Sequence, residues 1–258
     1  MQAMLHFGLI GQSLGHSFSK KFFSAKFSAE QIDADYQLIE LESIDMLDEA
    51  IAKYHLSGFN VTIPYKESII PYLDELTEEA KAIGAVNCVV IKEGRKIGYN
   101  TDVAGIEASL EWLDVDADTR ALILGTGGAS KAVQHVFRRY NIPYSTVSRN
   151  ADKGDYTYSE LSSEVITKHT IIVNTTPVGM FPDVDNAPDV CYDHIGPTHR
   201  LFDLVYNPAN TRFLDLGKGR GAKTLGGMLM LQTQAIASWH IWRRELSVGT
   251  TERSNTPC

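Results

Sequence analysis

A short apolar run that leads directly into a glycine-rich turn constrains the fold of this chain more than any other feature. The run Ala121–Leu124 is typical of a buried strand, and Gly125-Thr126-Gly127-Gly128-Ala129-Ser130 follows it at once. Beyond the turn, apolar residues recur at helical spacing as far as Tyr140. A dinucleotide fingerprint requires this context of strand, glycine turn and helix. The sequence therefore predicts a Rossmann-type unit, and the alternative is a glycine turn that serves only to reverse the chain.

Each small residue of the turn has a physical role in this prediction. Gly125 permits the tight turn, and Gly127 lets a pyrophosphate approach the backbone closely. The third position needs only a small side chain for close helix packing, and Ser130 supplies it. The amide groups at the helix N-terminus would then face the phosphates.

The residues after the next predicted strand indicate which dinucleotide binds. Strand 144–147 ends in Ser148-Arg149-Asn150, where NAD sites place an acidic residue for the ribose hydroxyls. Arg149 can instead form a fork to a 2′-phosphate and stack on adenine, and Lys153 adds positive charge. The alternative is a solvated surface arginine. The sequence favours NADP over NAD.

Strand-like and helix-like segments alternate along the chain, which predicts an α/β fold with parallel sheets. We expect an N-terminal α/β substrate-binding domain at 1–103 and a Rossmann-type, doubly wound NADP-binding domain at 104–227. A helix at 228–246 would pack back on the first domain, and 247–258 would form a disordered tail. The predicted strands are Leu5–Ile10, Phe59–Ile63, Val86–Ile91, Ile97–Tyr99, Ala121–Leu124, 144–147, Ile171–Val173 and Leu201–Val205. The predicted helices are Phe18–Phe27, 44–54, Leu73–Ile83, 103–113, 129–140 and 228–244, and a hairpin turn is expected at 93–96.

The charge balance and the cysteines narrow the range of partners. The 258 residues include 24 basic and 32 acidic side chains, a net charge of −8, which argues against nucleic acid or an anionic membrane as partner. No apolar run approaches the length of a membrane span, and the N-terminus lacks the charged region of a signal peptide. Cys88, Cys191 and Cys258 form no C-x-x-C pair, which favours a reduced cytoplasmic protein without a metal.

Two dense polar motifs mark a candidate substrate site. Gly58–Lys66 and Gly98–Asp102 are unusually polar for segments near strand ends, and an amine, a carboxylate, amides and hydroxyls suit a small polyol ligand. Ser17 and Ser19, at a predicted helix N-terminus, can hold a carboxylate, unless they serve only as helix caps. Likewise, Lys66 and Asp102 could form an ordinary exposed ion pair. The polar candidates are Asn60, Thr62, Lys66, Asn87, Asn100 and Asp102.

From Phe7 to about Arg244 the chain resembles the shikimate dehydrogenases, NADP-dependent enzymes of aromatic amino-acid biosynthesis. The motifs that carry the resemblance are His16-Ser17-Phe18-Ser19, Asn60 to Lys66, Gly84-Ala85-Val86-Asn87, Asn100-Thr101-Asp102 with Gly105, Gly125 to Ala129, Asn174 to Met180, Asp203 to Tyr206, and Gly227-Met228-Leu229 with Gln232. They occur in the order that the family has. Their combination is far more specific than any one of them.

The resemblance implies a role for each matching residue. Ser17 and Ser19 would bind the substrate carboxylate, and Lys66 and Asp102 would be the catalytic pair. The residues that would bind substrate hydroxyls, or orient groups that do so, are Asn60, Thr62, Asn87, Asp102, Tyr206 and Gln232. The residues that would contact NADP are Glu78, Gly125, Thr126, Gly127, Gly128, Ala129, Ser148, Arg149, Asn150, Lys153, Thr175, Leu204 and Gly227, with Thr175, Leu204 and Gly227 near the nicotinamide.

The implied reaction is the reduction of 3-dehydroshikimate with NADPH, in which Lys66 would donate the proton that the ketone oxygen requires. The expected partner is this small-molecule substrate, and the expected assembly is a monomer or homodimer. One alternative is a quinate/shikimate-type dehydrogenase that uses NAD or has a broader substrate range. Another is a non-catalytic NADP-binding regulator on the same fold, against which the intact pair Lys66 and Asp102 argues.

Overall fold

The computed structural model describes residues 4–15, 17–116 and 118–248. By its contacts the chain divides into two compact units. The first unit contains the described residues of 4–81, Val86–Asn100 and 235–248. The second contains Ala82–Ala85 and the described residues of Thr101–Gln234.

The first unit is an α/β sandwich whose elements alternate along most of its length. Its strands are β1 (Leu5–Gly11), β2 (Ala34–Glu40), β3 (Gly58–Val61), β4 (Glu75–Leu76), β5 (Cys88–Lys92) and β6 (Arg95–Tyr99). Its helices are α1 (Phe18–Ala29), α2 (Leu47–Tyr54) and α3 (Tyr65–Ser68), and α4 (Glu78–Ile83) continues into the second unit. The strand order is β2-β1-β3-β5-β6-β4 within the described residues.

The sheet of the first unit is mixed, so the expectation of a parallel sheet is wrong there. β5 runs antiparallel to both β3 and β6, whereas β1 is parallel to β2 and β3. The chain reverses direction between β5 and β6 at Glu93 and Gly94, which have φ of 52° and 78°. Two consecutive positive φ values are the backbone of a tight hairpin turn, because they match the twist of the flanking strands. The hairpin predicted at this point is confirmed.

Side chains alternate between two buried faces of this sheet. Phe59, Val61 and Val89 pack with α2 and α3 residues on one face. Phe7 and Val90 belong to the other face, in a second cluster with α1. Helices cover both faces because the strands present apolar side chains in both directions.

The prediction of a helix over Leu73–Ile83 is wrong for the first half of that segment. Glu75 and Leu76 form β4, which pairs with β6, and only Glu78–Ile83 is helical. The Asp74 side chain accepts the amide of Lys96, and Thr77 Oγ1 accepts the amide of Ala80 at the helix start. Pairing with β6 thus outweighs the helical preference of this Glu- and Leu-containing segment.

The second unit consists of a parallel sheet with helices along it. Its strands are β7 (Ala121–Leu124), β8 (Tyr144–Ser148), β9 (Tyr156–Thr157), β10 (Ile171–Asn174), β11 (Arg200–Asp203) and β12 (Lys223–Leu225). Its helices are α5 (Asp102–Trp112), α6 (Gly128–Arg139), α7 (Ser163–Lys168) and α8 (Arg212–Gly219), and α9 (Met228–Glu245) begins here and ends in the first unit. Among these strands the order is β12-β11-β10-β7-β8-β9, and every pair is parallel.

This order is that of the doubly wound dinucleotide-binding fold, in which the first strand lies at the centre and the chain winds outward in both directions. Ile123 and Val173 pack against α5 and α6 on one face of the sheet. Leu122 and Ile172 pack with residues of α7 and α8 on the other face. The predicted α/β class and the Rossmann-type unit are confirmed.

The long C-terminal helix contributes to the core of each unit. In the second unit, Met230 lies so close to Gly105 that a Cβ there would be 2.5 Å from the Met230 carbonyl oxygen. In the first unit, Trp239 and Trp242 are buried, and Trp242 Nε1 donates to the Val89 carbonyl at 2.9 Å. No helix in the described ranges is long and apolar enough to cross a membrane.

The chain remains ordered slightly beyond the point where a disordered tail was predicted. The amide of Val248 donates to the Arg243 carbonyl at 3.0 Å, and its side chain is buried. The rest of the predicted tail, 249–258, lies outside the described residues.

Candidate active site

The second unit has a topological switch point between its adjacent central strands β7 and β10. The chain leaves β7 toward β8 and leaves β10 toward β11, on opposite sides. In open α/β sheets this divergence creates a crevice at the carboxyl ends of the strands, where ligands bind. Gly125 follows β7 and Thr175 follows β10, so two predicted cofactor residues lie at this crevice.

The geometry of the glycine turn fits a pyrophosphate. Gly125 has φ of +110°, and a Cβ there would be 2.6 Å from Thr175 Oγ1, which donates to the Leu124 carbonyl at 2.7 Å. A Cβ on Gly127, in contrast, would enter open space. Gly127 is the N-cap residue of α6 and has no side chain to cap the first turn. The turn therefore presents bare backbone and the positive end of a helix dipole to an anionic ligand.

Ser130 fixes this turn from inside the helix. Its hydroxyl donates to the Gly125 carbonyl at 2.7 Å and its side chain is fully buried. The sequence prediction required only a small residue at this position. The structure adds a hydrogen bond that ties α6 back to the turn.

The loop after β8 carries two basic side chains that the preference for NADP calls on. Arg149 and Lys153 are exposed. The same loop contains the exposed Asp152, next to Lys153, and Asp155, which accepts the amide and the hydroxyl of Thr146 at 2.7 and 2.9 Å and is thereby committed to the strand.

The two polar residues that flank Arg149 hold the backbone of this loop. Ser148 Oγ accepts the amide of Asn150 at 3.1 Å, and Asn150 Oδ1 accepts the amide of Asp152 at 2.9 Å. Their contact with NADP stays a prediction. The structure shows their local role, which is to shape the loop that carries Arg149.

The residues predicted near the nicotinamide lie beside one another in the second unit. The amide of Leu204 donates to the Asn174 carbonyl, next to Thr175, at 3.0 Å. The amide of Gly227 donates to the Val205 carbonyl at 3.0 Å, and a Cβ on Gly227 would be 2.3 Å from the Leu204 carbonyl oxygen. Only glycine fits this close approach of two backbones.

The first unit contains the predicted carboxylate site at the start of α1. Ser17 is the N-cap residue, and its hydroxyl accepts the amide of Ser19 at 3.2 Å. The capping alternative thus describes Ser17 correctly, although a hydroxyl that accepts a hydrogen bond retains its own proton to donate. Ser19 is buried, and its side chain partly lowers the pKa of Tyr36.

Beneath these serines lies a buried polar network that the sequence did not reveal. The Tyr36 hydroxyl donates to Asn60 Oδ1 at 2.9 Å, and Asn60 Nδ2 donates to the Asn87 carbonyl at 3.1 Å and to Ser238 Oγ at 2.8 Å. Because a backbone carbonyl can only accept, the contact with Asn87 fixes the orientation of the Asn60 amide. Both Asn60 hydrogens are therefore used within the protein, and a substrate contact would have to use the remaining lone pair of Oδ1.

Burial dominates the electrostatics of this network. It raises the pKa of Tyr36 well above its usual range, although the hydrogen bond with Ser19 lowers it in part. Burial also raises the pKa of the Cys88 thiol to about 12. Both groups therefore stay neutral at physiological pH and act only as hydrogen-bonding groups.

The other predicted substrate residues of the first unit follow β3. The amide of Thr62 donates to the Ile10 carbonyl at 2.9 Å, and the Lys66 carbonyl accepts the amide of Val86 at 2.7 Å. The side chains of Thr62 and Lys66 are both half-buried. Glu78, predicted near the cofactor, is exposed and pairs with Lys81 at 2.7 Å.

The second unit supplies the remaining predicted substrate residues. Asp102 is the first residue of α5 and is only 3% exposed, so it is not half of an exposed ion pair. Tyr206 is half-buried after β11, and Gln232 is exposed on α9. No group of three or more His, Cys, Asp or Glu side chains in the described ranges could hold a metal ion.

Comparisons with known proteins agree with this geometry. The family model of the shikimate dehydrogenase substrate binding domain matches residues 9–89. A shikimate dehydrogenase (NADP(+)) of Clostridium beijerinckii is 40% identical over 253 residues, which cover 93% of this chain and 92% of the relative.

Solved structures give the same result. A shikimate dehydrogenase from Peptoclostridium difficile is 39% identical with a TM-score of 0.83, covering 93% of this chain and 92% of that one. A shikimate 5-dehydrogenase from Thermus thermophilus, solved with NADP(H) and shikimate, is 28% identical with a TM-score of 0.83 and 93% of each chain covered.

Proposed function

Because this chain belongs to the shikimate dehydrogenase family, we propose that it catalyses the reversible, NADPH-dependent reduction of 3-dehydroshikimate to shikimate. It is then an oxidoreductase that acts on a CH-OH group, in the biosynthesis of chorismate and the aromatic amino acids. The observation that carries the proposal is 40% identity to a relative with this activity in its name, sustained over 93% of the chain. The family predicted from the sequence motifs is confirmed.

NADP is the cofactor that the residues of the second unit fit. The bare backbone at Gly127 suits a pyrophosphate, and the exposed Arg149 suits a 2′-phosphate. NADPH supplies the hydride when it is bound. We assign residues 1–103 to substrate binding and 104–227 to the cofactor, and of the helix at 228–246 the part from Ala235 onward packs with the former.

The protein's own part in the reaction is to hold the substrate and to deliver a proton. In our proposal Ser17 and Ser19 hold the substrate carboxylate. The residues that contact the ring hydroxyls, or orient groups that do so, are Asn60, Thr62, Asn87, Asp102, Tyr206 and Gln232. As hydride reaches the C3 carbonyl carbon, the Lys66 ammonium gives a proton to the ketone oxygen, and a neutral amine remains. In the oxidation of shikimate the same amine takes that proton back. Asp102, the second catalytic residue of the proposal, binds the substrate.

The test is the absorbance of the nicotinamide on mixing the protein with shikimate and NADP⁺. We expect a rise as NADPH forms, and a much smaller rate with quinate or with NAD⁺. If the rate with quinate and NAD⁺ equals or exceeds the rate with shikimate and NADP⁺, the result would support a quinate/shikimate-type dehydrogenase instead. Binding of NADP⁺ without turnover of either acid would support a regulator. We further propose that the protein is cytoplasmic. We also propose that it is a monomer or a homodimer, and sedimentation would test this assembly state.

A further inference from the structure

A fully buried carboxylate ends strand β11 of the second unit. Asp203 is 0% exposed. Its Oδ1 accepts Asn174 Nδ2 and the amide of Val205, both at 3.0 Å, and its Oδ2 accepts the Thr211 hydroxyl at 2.5 Å. Three donors from three different segments therefore converge on one side chain.

Each of these donors belongs to a segment that shapes the site. Asn174 precedes Thr175, and its Oδ1 accepts the amide and hydroxyl of Thr176 at 3.1 and 2.6 Å. Val205 stands between Leu204 and Tyr206, and its carbonyl accepts the amide of Gly227. The Asp203 carboxylate thus links the loop after β10, the loop after β11 and the start of α8, where Thr211 is the N-cap residue.

We propose that Asp203 is a positioning residue that holds the nicotinamide half of the cofactor site through Asn174 and the Val205 amide. The inference rests on the proposed NADP-dependent function. A dinucleotide lies across the switch point with one half on each side. Because Arg149 marks the β8 side as the adenosine side, the nicotinamide falls on the side of β10 and β11. Asp203 is on that side, and its carboxylate is fully buried and hydrogen-bonded within the protein.

The carboxylate is required because all of its partners donate. An asparagine has the same shape but no negative charge, so it loses the charge-assisted strength of these bonds, and its N–H group is met only if the Thr211 hydroxyl turns round to accept. Burial raises the pKa of Asp203 to about 6, so the group is ionised at pH 8. Asp203→Asn at pH 8 therefore removes the negative charge that three donors share, with little change in volume.

The experiment compares two ligands by calorimetry at pH 8. NADP⁺ spans both halves of the site, whereas adenosine 2′,5′-bisphosphate occupies only the adenosine half. We expect Asp203→Asn to lower the affinity for NADP⁺ by about 10- to 100-fold, which is the size of the effect of losing a hydrogen bond to a charged group. Adenosine 2′,5′-bisphosphate should bind the variant within about two-fold of the unmodified protein. A general structural defect would weaken both ligands.

Asp155→Asn is the matched control. Asp155 also accepts an amide and a hydroxyl, but from Thr146 on the β8 side. Its loss should weaken both ligands by similar factors, because both contain the adenosine half. If Asp203→Asn does not fold, Thr211→Val removes only one donor and should weaken NADP⁺ selectively by a smaller factor.

Equal losses for both ligands in Asp203→Asn, or no loss for NADP⁺, would overturn the positioning role. The unmodified protein separates this result from a failure of the proposed function. If it binds NADP⁺ but does not oxidise shikimate, the proposed function fails and the ligand comparison still tests Asp203. If it binds neither ligand, both proposals fall.

Discussion

The hydroxyl of Tyr36 donates to Oδ1 of Asn60 at 2.9 Å, and both side chains are buried in the first unit. Through this bond the predicted carboxylate site is linked to the last helix, because Asn60 also donates to Ser238. Asn60 is therefore a structural junction, whatever contact it makes with substrate.

We expect Tyr36→Phe to destabilise the protein by about 1–3 kcal/mol, because it leaves Asn60 Oδ1 buried without its donor. Packing is retained, since the ring still stacks on Phe23, with centroids 4.5 Å apart. Chemical denaturation measures the change. Tyr72→Phe is the control, because the Tyr72 hydroxyl bonds Asp45 at the surface and its loss should matter much less. Equal effects of the two substitutions would contradict the structural role of the Tyr36 hydroxyl.

The parts of the site that the sequence predicted are those with local signals. The run Ala121–Leu124 and the following glycines predicted strand, turn and helix with nearly the observed bounds, because apolar runs and glycines act within a few residues. Ser17 likewise lies where a helix cap was expected, directly before α1.

The parts that the sequence did not predict depend on distant residues. Asn60 and Ser238 are 178 positions apart, and no periodicity links them. β2 was missed although Ala34, Tyr36 and Leu38 alternate with polar residues; what makes it a strand is its parallel pairing with β1, some 29 positions earlier in the chain. α8 was missed because Gly217 and Gly219 have low helix propensity, which burial of Phe213 and Leu214 outweighs.

Asp203 should make stability depend on pH. Its folded pKa of about 6 exceeds the ordinary value of 3.8, so the folded state binds this proton more tightly than the unfolded state. This contribution favours folding below about pH 4 and is lost as the pH rises through 6, by about 3 kcal/mol in total. Glu160 and Glu164 have lowered pKa values and act in the opposite sense.

The free energy of unfolding should therefore be compared between the unmodified protein and Asp203→Asn from pH 4 to 7. The difference isolates Asp203, because the other carboxyl groups titrate in both proteins. As the pH rises, we expect the unmodified protein to lose free energy of unfolding relative to the variant, and the difference should level off above about pH 6–7. A difference that stays constant across this range would contradict the raised pKa.

Gly127→Ala should separate cofactor binding from stability. A Cβ at Gly127 meets nothing within 4 Å, and φ of −85° with ψ of −172° is open to alanine. The melting temperature should not fall, whereas NADP⁺ affinity should fall by about 10-fold or more, because the methyl group occupies the approach of the pyrophosphate. Gly196→Ala, which also points into open space, should change neither quantity. Unchanged NADP⁺ affinity in Gly127→Ala would remove the turn from the site.

Arg149→Ala should weaken NADP⁺ by about 10- to 100-fold and NAD⁺ far less, because only NADP⁺ carries the 2′-phosphate. Direct binding of each cofactor measures the ratio. Arg220→Ala removes an exposed arginine of the same unit that pairs with Asp193, and it should leave both affinities unchanged. Equal losses for the two cofactors would refute the 2′-phosphate role of Arg149.

Lys66→Ala should lower turnover by about 10²–10⁴-fold, the usual contribution of a positioned acid–base group, with little change in shikimate affinity. The physical reason is that hydride transfer creates negative charge on the ketone oxygen, and no other proton donor is proposed for it. Steady-state kinetics with shikimate and NADP⁺ give the turnover, and calorimetry gives the affinity. Lys53→Ala is the control, because Lys53 is an exposed lysine of the same unit that lies over the Tyr54 ring, and its removal should leave turnover near the unmodified value. If the two lysine variants turn over shikimate equally well, Lys66 is not the proton donor.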